Sequence, residues 1–128
     1  MMSGTDDQSS QLKWMFEISD PLGYTVRLSE DVWYGHITEN HTDMTKEFDT
    51  IKLTIEDPCL VYSSSDYDNR NVYFRDRKAY NSSLKYCKVI VEYDGSSKNG
   101  EVVSAFKRKK IGGNIKDEAP KYTRPELR

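Results

Sequence analysis

Between Leu84 and Tyr93 apolar and polar side chains alternate, with Cys87, Val89 and Val91 on one face. A period of two is the mark of a half-buried strand. A second run, Glu101 to Phe106, follows a loose hairpin turn at Asp94 to Gly100. Consecutive strands joined by a short polar turn pair antiparallel. This pair therefore commits the chain to a sheet and obliges the remaining apolar segments to cover it.

Those segments are legible in order. Trp14, Phe16 and Ile18 alternate with polar neighbours, Asp20-Pro21-Leu22-Gly23 is a turn, and Tyr24, Val26 and Leu28 alternate again. Residues 13–28 thus read as a β-hairpin. Ser29 can cap a helix, with Glu30 and Asp31 at the positive end of its dipole. Gly35 keeps that helix short, with an end expected near Thr38 to Asn40. Thr42 or Asp43 can cap a second helix, on which Met44, Phe48, Ile51 and Ile55 form an apolar stripe. Asp57-Pro58 ends it, since the residue before proline avoids the α region. Short strands are expected at Cys59 to Tyr62 and at Val72 to Arg77, the latter with Tyr73 and Arg75 opposite Val72 and Phe74. Ser63 to Asn71 and Ala79 to Ser83 read as loops.

The order ββ, αα, then four strands predicts an α+β domain: two N-terminal helices packed on a twisted antiparallel sheet and preceded by a β-hairpin. Residues 1–11, rich in Ser, Asp and Gln, read as a disordered tail. Residues 12–115 form the expected single domain, and residues 116–128, with Pro120 and Pro125, a mobile arm. No apolar run approaches the roughly 20 residues of a membrane span, and residues 1–11 lack the features of a signal peptide, so a cytoplasmic protein without a membrane partner is expected. Cys59 and Cys87, far apart, read as reduced thiols on strands.

The only histidines are His36 and His41, in the stretch Ser29 to His41 that also carries Trp33. Imidazole is the side chain suited to proton transfer near neutral pH. Five residues apart on one continuous helix, two side chains diverge by roughly 140°. The two rings can share a site only if the helix stops between them. Trp33, three residues before His36, is placed to pack on that imidazole. No His-x-x-x-His pair or HExxH helix is present, so neither a metal nor a cofactor is expected.

Charge is distributed unevenly. Residues 1–66 carry 13 acids and 4 bases, whereas residues 98–128 carry 4 acids and 9 bases. Arg75, Arg77 and Lys78 cluster at one strand end, and Lys107 to Lys110 at another. Imidazoles beside such cations are what RNA cleavage without a metal requires. A base takes the ribose 2′-OH proton, an acid protonates the leaving 5′-oxygen, and cations stabilise charge on phosphorus.

The segments VRLSEDVWYGHITENHTDM, FDTIKLTIEDPCLVYSS, NVYFRDR, CKVIVEYD and GEVVSAFKRKKIGG resemble the phage-type branch of the barnase–EndoU–colicin–RelE-like (BECR) nucleases. The resemblance runs from about Val26 to Gly113. It implies an α+β fold and a small metal-independent endoribonuclease acting in a toxin, phage or mobile-element conflict. His41 falls on the family's His-Pro-Glu, Ser104 on the threonine of its last strand, and Arg75 on the strand with a basic or tyrosine residue. Thr42 and Asp43 replace Pro and Glu, and Ser104 replaces threonine; both changes keep the chemical type at the acid and hydroxyl positions. The implied site has His41 as general base or acid, His36 as partner or orienting group, and Ser104 on the phosphate or the histidine. Arg75 completes the catalytic set, holding the scissile phosphate with Lys109 or Lys110, and Tyr73, Arg77, Lys109 and Lys110 would bind the RNA substrate. The alternative on the same fold is a non-catalytic module whose basic face docks a protein or nucleic acid; an inhibitory or other partner protein is compatible with both.

Overall fold

The computed structural model describes residues 13–77 and 83–128. The expected N-terminal tail, Lys78 and most of the Ala79 to Ser83 loop lie outside these residues. The chain forms a mixed α/β structure around a seven-stranded sheet. The strands are β1 (Trp14–Ser19), β2 (Thr25–Ser29), β3 (Leu60–Ser63), β4 (Arg70–Asp76), β5 (Tyr86–Tyr93), β6 (Asn99–Arg108) and β7 (Tyr122–Thr123). Their order across the sheet is β1-β2-β6-β5-β4-β3-β7.

The hairpin forms as expected, but it joins the main sheet rather than merely preceding it. Asp20 sets its turn: Oδ1 accepts the backbone N–H groups of Leu22 at 2.9 Å and Tyr24 at 2.8 Å. β2 then pairs with β6 through Thr25–Asn99, Val26–Gly100 and Arg27–Glu101, and this pairing is parallel. The sheet is therefore mixed, not wholly antiparallel. The helices and three strands that separate β2 from β6 free this pair from the antiparallel constraint of a short turn.

After β2 come an α-turn Glu30–Val32, a π-turn Trp33–Ile37 and an α-turn Thr38–Asn40, together α1. Ser29 caps α1, its Oγ accepting the Val32 N–H at 3.1 Å. The second helix, α2 (Phe48–Glu56), starts later than expected. Thr42–Met44 instead form a 3-10 turn, because Thr45 closes back on the Thr42 carbonyl with its hydroxyl at 2.8 Å and its N–H at 3.3 Å. The expected apolar stripe is real. Met44, Ile51 and Ile55 are fully buried, and Phe48 packs against Phe16 and Trp33. Complete burial of each isoleucine contributes about 1.5–3 kcal/mol.

Both faces of the sheet are covered. α2 packs on β1, β4 and β5, and Tyr73, Cys87, Val89, Val91, Val102 and Ala105 belong to the same core. On the other face, Ile111 and Ile115 pack against Val72 and Phe74. The tail is not a free arm. Lys116 donates its N–H to Ser63 O, Lys121 to Val61 O and Arg124 to Cys59 O, so β7 extends the sheet along β3. Arg124 anchors it, with Nη2 2.9 Å from Asp57 O and Nη1 3.4 Å from Asp76 Oδ1. These partners lie far away in sequence, which is why the tail reads as unattached from composition alone.

Gly100 is closely approached by its neighbours in the sheet. A Cβ there would lie 2.8 Å from ring carbons of Tyr93 and from Val91 Cγ1, both buried side chains, so one of them must shift. Gly100→Ala is expected to lower stability by about 1–3 kcal/mol, read as a shift in the urea midpoint with unchanged slope.

Candidate functional site

β2 pairs with β6 only as far as Arg27–Glu101. Beyond that, α1 and the 3-10 turn contact β6 in place of a strand. Trp33, Ile37 and Met44 face the core from this segment, while His36, Asn40 and His41 lie on its less buried side.

α1 runs past His36 without a break and stops at Asn40. The His41 N–H still bonds to Ile37 O at 2.8 Å, but His41 itself leaves helical geometry at φ −129° and ψ 73°. Within the helix the Thr38 N–H reaches back five residues to Trp33 O, the wide π-type bond. The widened turn and the break at His41 together bring the imidazole rings to 6.0 Å between centroids, edge to face. Trp33 does not pack on His36 as expected; it packs edge-on against Phe48 at 5.4 Å.

His36 is held from both ends. Asn40 Nδ2, one helical turn on, lies 3.0 Å from His36 Nδ1, and Ser104 Oγ lies 3.2 Å from Nε2. With the Asn40 amide donating to Nδ1, the neutral ring carries its proton on Nε2 and donates it to Ser104. The Ser104 hydroxyl hydrogen is then free for another acceptor. His41 stacks on Phe106 at 5.2 Å between centroids and 26° between planes. No hydrogen bond to its ring nitrogens is present among the described residues.

Ser104 reaches His36 because of a bulge in β6. Ser104 pairs with Ile90 and Val102 pairs with Val91, so Val103 is an extra residue. Val102 and Ala105, three apart, both enter the core, and Ser104 is turned to the opposite face. Phe106 and Arg108 follow Ser104 on that face. Across from them on β5, Lys88 pairs with Phe106 and Tyr86 with Arg108.

Two cations flank the Phe106 ring: Lys88 Nζ at 5.3 Å and Arg108 Cζ at 5.8 Å from its centroid. Lys88 is almost wholly buried and donates to Gly113 O at 2.7 Å, Gly112 O at 3.2 Å and Asn114 Oδ1 at 3.1 Å. Gly112, Gly113 and Asn114 all adopt positive φ, folding the turn around the amine. Lys109 and Lys110 are exposed and line a groove with Arg108, Gly112 and Gly113.

The other expected site residues lie elsewhere. Tyr73 is fully buried on the α2 face, its hydroxyl bonded to Asp20 Oδ2 and to Tyr93, and burial pushes its phenol far above the usual range. It is closed to a ligand. Arg75 is on the same face, with Nη1 3.0 Å from Asp57 Oδ2 and a second bond to the Asp57 carbonyl. Arg77 bonds to Leu84 O and lies 3.3 Å from Glu47 Oε2. Glu47 also takes Lys107 at 3.0 Å and the Thr50 hydroxyl at 2.8 Å. Burial opposes its ionisation, yet Lys107, Thr50 and Arg77 together hold its carboxyl below the usual range. Strand parity separates these two arginines from the histidines, and acidic partners already hold them.

Asn40, Phe106 and Lys88 lie beside the histidines and Ser104 but were not singled out from the sequence, and Arg108 entered only as part of the basic run 107–110. Asn40 had a signal, four residues after His36 on a helix. Phe106 and Arg108 had a weaker one, at even spacing from Ser104. Lys88 enters by cross-strand pairing alone.

Burial, then the neighbouring Arg108, pull the Lys88 amine down to about 8, against a smaller opposing effect of Asp66. Above that pH the folded chain releases a proton that the unfolded chain keeps up to its ordinary 10.5. This group's contribution to stability is therefore flat below pH 8 and rises between pH 8 and 10.5. An NMR titration of the lysine side chains is expected to show one signal, absent in Lys88→Met, with its midpoint near pH 8.

Among the described residues, no three His, Cys, Asp or Glu side chains are grouped as a metal-ligand set, and no helix is long and apolar enough to cross a membrane. Comparison with protein-family models, with curated proteins and with solved structures finds no match to this chain.

Proposed function

We propose that the chain is an endoribonuclease that cleaves RNA by attack of the 2′-OH on the adjacent phosphorus, without a metal ion. The observation that carries this reading is the meeting of His36, His41 and Ser104 beside β6. The imidazoles stand 6.0 Å apart, and the Ser104 hydroxyl lies 3.2 Å from His36. General acid–base catalysis needs a proton-transfer group within about 2.6–3.2 Å of each reacting oxygen. Two rings at this separation can address one phosphodiester.

In the proposed mechanism His41, with unengaged ring nitrogens, exchanges protons with the substrate as base or acid. The 2′-oxygen loses its proton, to His41 when that ring is the base and otherwise to water, and bonds to phosphorus. The bond from phosphorus to the 5′-oxygen breaks, and that oxygen takes a proton, from His41 when that ring is the acid and otherwise from water, giving a 2′,3′-cyclic phosphate and a 5′-hydroxyl. His36 fixes Ser104, whose free hydroxyl hydrogen points to a non-bridging phosphate oxygen. Asn40 fixes the His36 tautomer. Arg108, Lys109 and Lys110 supply the positive charge first assigned to Arg75. The motif resemblance to the BECR nucleases supports the same reading, and with it a role in a toxin, phage or mobile-element conflict.

Labelled single-stranded RNA incubated with the protein is expected to be cut equally with and without EDTA, and to resist where the 2′-OH is replaced by hydrogen. His41→Ala is expected to lower the rate by about 100-fold or more. Arg75→Ala is expected to leave it unchanged. RNA that stays intact with the unaltered protein overturns the proposal; binding without cleavage favours the docking-module alternative.

Asn40 separates orientation from mere presence of the ring. Asn40→Asp puts an acceptor where Nδ1 now receives a proton, so the neutral ring moves its own proton to Nδ1 and Nε2 accepts the Ser104 hydroxyl hydrogen, which is then no longer free for the phosphate. The cleavage rate is expected to fall by about 10-fold or more, with an unchanged urea midpoint; a rate equal to that of the unaltered protein removes Asn40 from the mechanism.

A further inference from the structure

The face that carries Ser104 continues upward from the histidines to a second feature. Tyr67 is a large exposed aromatic, 53% accessible, in the loop between β3 and β4. The Arg70 guanidinium lies 3.9 Å from its ring centroid. Arg70 Nε is fixed by Glu92 Oε1 at 3.0 Å, while Nη1 and Nη2 have no hydrogen-bond partner among the described residues. The guanidinium thus backs one face of the Tyr67 ring and is held there by one ion pair, while the ring as a whole stays largely exposed.

Register fixes its place. Arg70 pairs with Glu92 on β5, Ile90 lies two residues along β5 on the same face, and Ile90 pairs with Ser104 on β6. Two strand spacings of about 4.8 Å and two residues of rise at about 3.4 Å put Arg70 and Ser104 roughly 12 Å apart. Ile90, half-buried, lies between them.

We infer that Tyr67 and Arg70 form a stacking platform for a nucleobase of single-stranded RNA whose backbone passes the histidines. The inference rests on the proposed endoribonuclease reading and adds a base-binding position to it. Charge selects the moiety. Glu92 and Glu101 stand across the strands from one another here, and Asp66 and Asp68 flank Tyr67 in the chain. A phosphate is repelled from this region, whereas an uncharged base with N–H donors is not. Stacking on an aromatic ring is tolerant of base identity, and the Arg70 guanidinium on the opposite face of that ring adds a cation–π contact that holds it in place.

The test uses 2′-O-methyl RNA, which binds without being cleaved. Affinities of a dinucleotide and a tetranucleotide are measured by fluorescence anisotropy. Tyr67→Ala is expected to weaken the tetranucleotide by about 10-fold, to leave the dinucleotide unchanged, and to have no effect once the base at the platform position is removed. Tyr67→Trp is expected to preserve binding. Tyr67 is exposed, and an unchanged thermal midpoint confirms that the variant folds. Equal effects on both oligomers, no effect on either, or no binding of either overturns the platform. Cleavage that survives without Tyr67 dependence removes the platform and leaves the nuclease reading; Tyr67-dependent binding without cleavage by the unaltered protein does the reverse.

Discussion

β6 has two neighbours but is fully paired by only one of them. β5 accompanies it from Tyr86–Arg108 to Tyr93–Gly100, whereas β2 reaches it through three residue pairs. An open strand edge leaves backbone groups and an apolar core uncovered. α1 and the following 3-10 turn close that edge with Trp33, Ile37 and Met44. The same closure delivers His36, Asn40 and His41 to the far face, because a helix buries one side and presents the other. Core packing and the histidine site are thus two sides of one contact.

That contact works because β6 is irregular. Regular alternation would send Ser104 into the core with Val102. The extra residue Val103 changes the parity, so Ala105 enters the core and Ser104, Phe106 and Arg108 emerge beside the histidines. The π-turn in α1 is the matching irregularity on the other element. Local departures from regular geometry concentrate where side chains must be re-aimed.

Charge is divided between the faces in the same way. On the α2 side, Glu47 gathers Arg77 and Lys107, and Asp57 gathers Arg75 and Arg124. These pairs tie α2 and the tail to strand ends. On the histidine side, Lys88 is held by carbonyl oxygens, with no carboxylate bonded to it among the described residues, and Arg108 stands beside it. A cation neutralised by a carboxylate offers little to a phosphate; one solvated by neutral oxygens keeps its field. This separates Arg75, the first cation suggested by the sequence, from Arg108 and Lys88.

Local pattern was sufficient for much of the architecture. The hairpin at 13–28, the Ser29 cap, the apolar stripe from Met44 to Ile55, its end at Asp57-Pro58 and the strands around Val72, Val89 and Val102 follow from periodicity and turn chemistry, which act between near neighbours. His36 and His41 were legible as candidates because no other imidazoles exist in the chain. Tertiary structure alone decided the parallel β2–β6 pair, the docking of the tail on β3, the facing of Ser104 and the removal of Tyr73, Arg75 and Arg77 from the site. Each of these depends on a bulge that shifts parity or on a partner tens of residues away, and neither leaves a mark in local sequence.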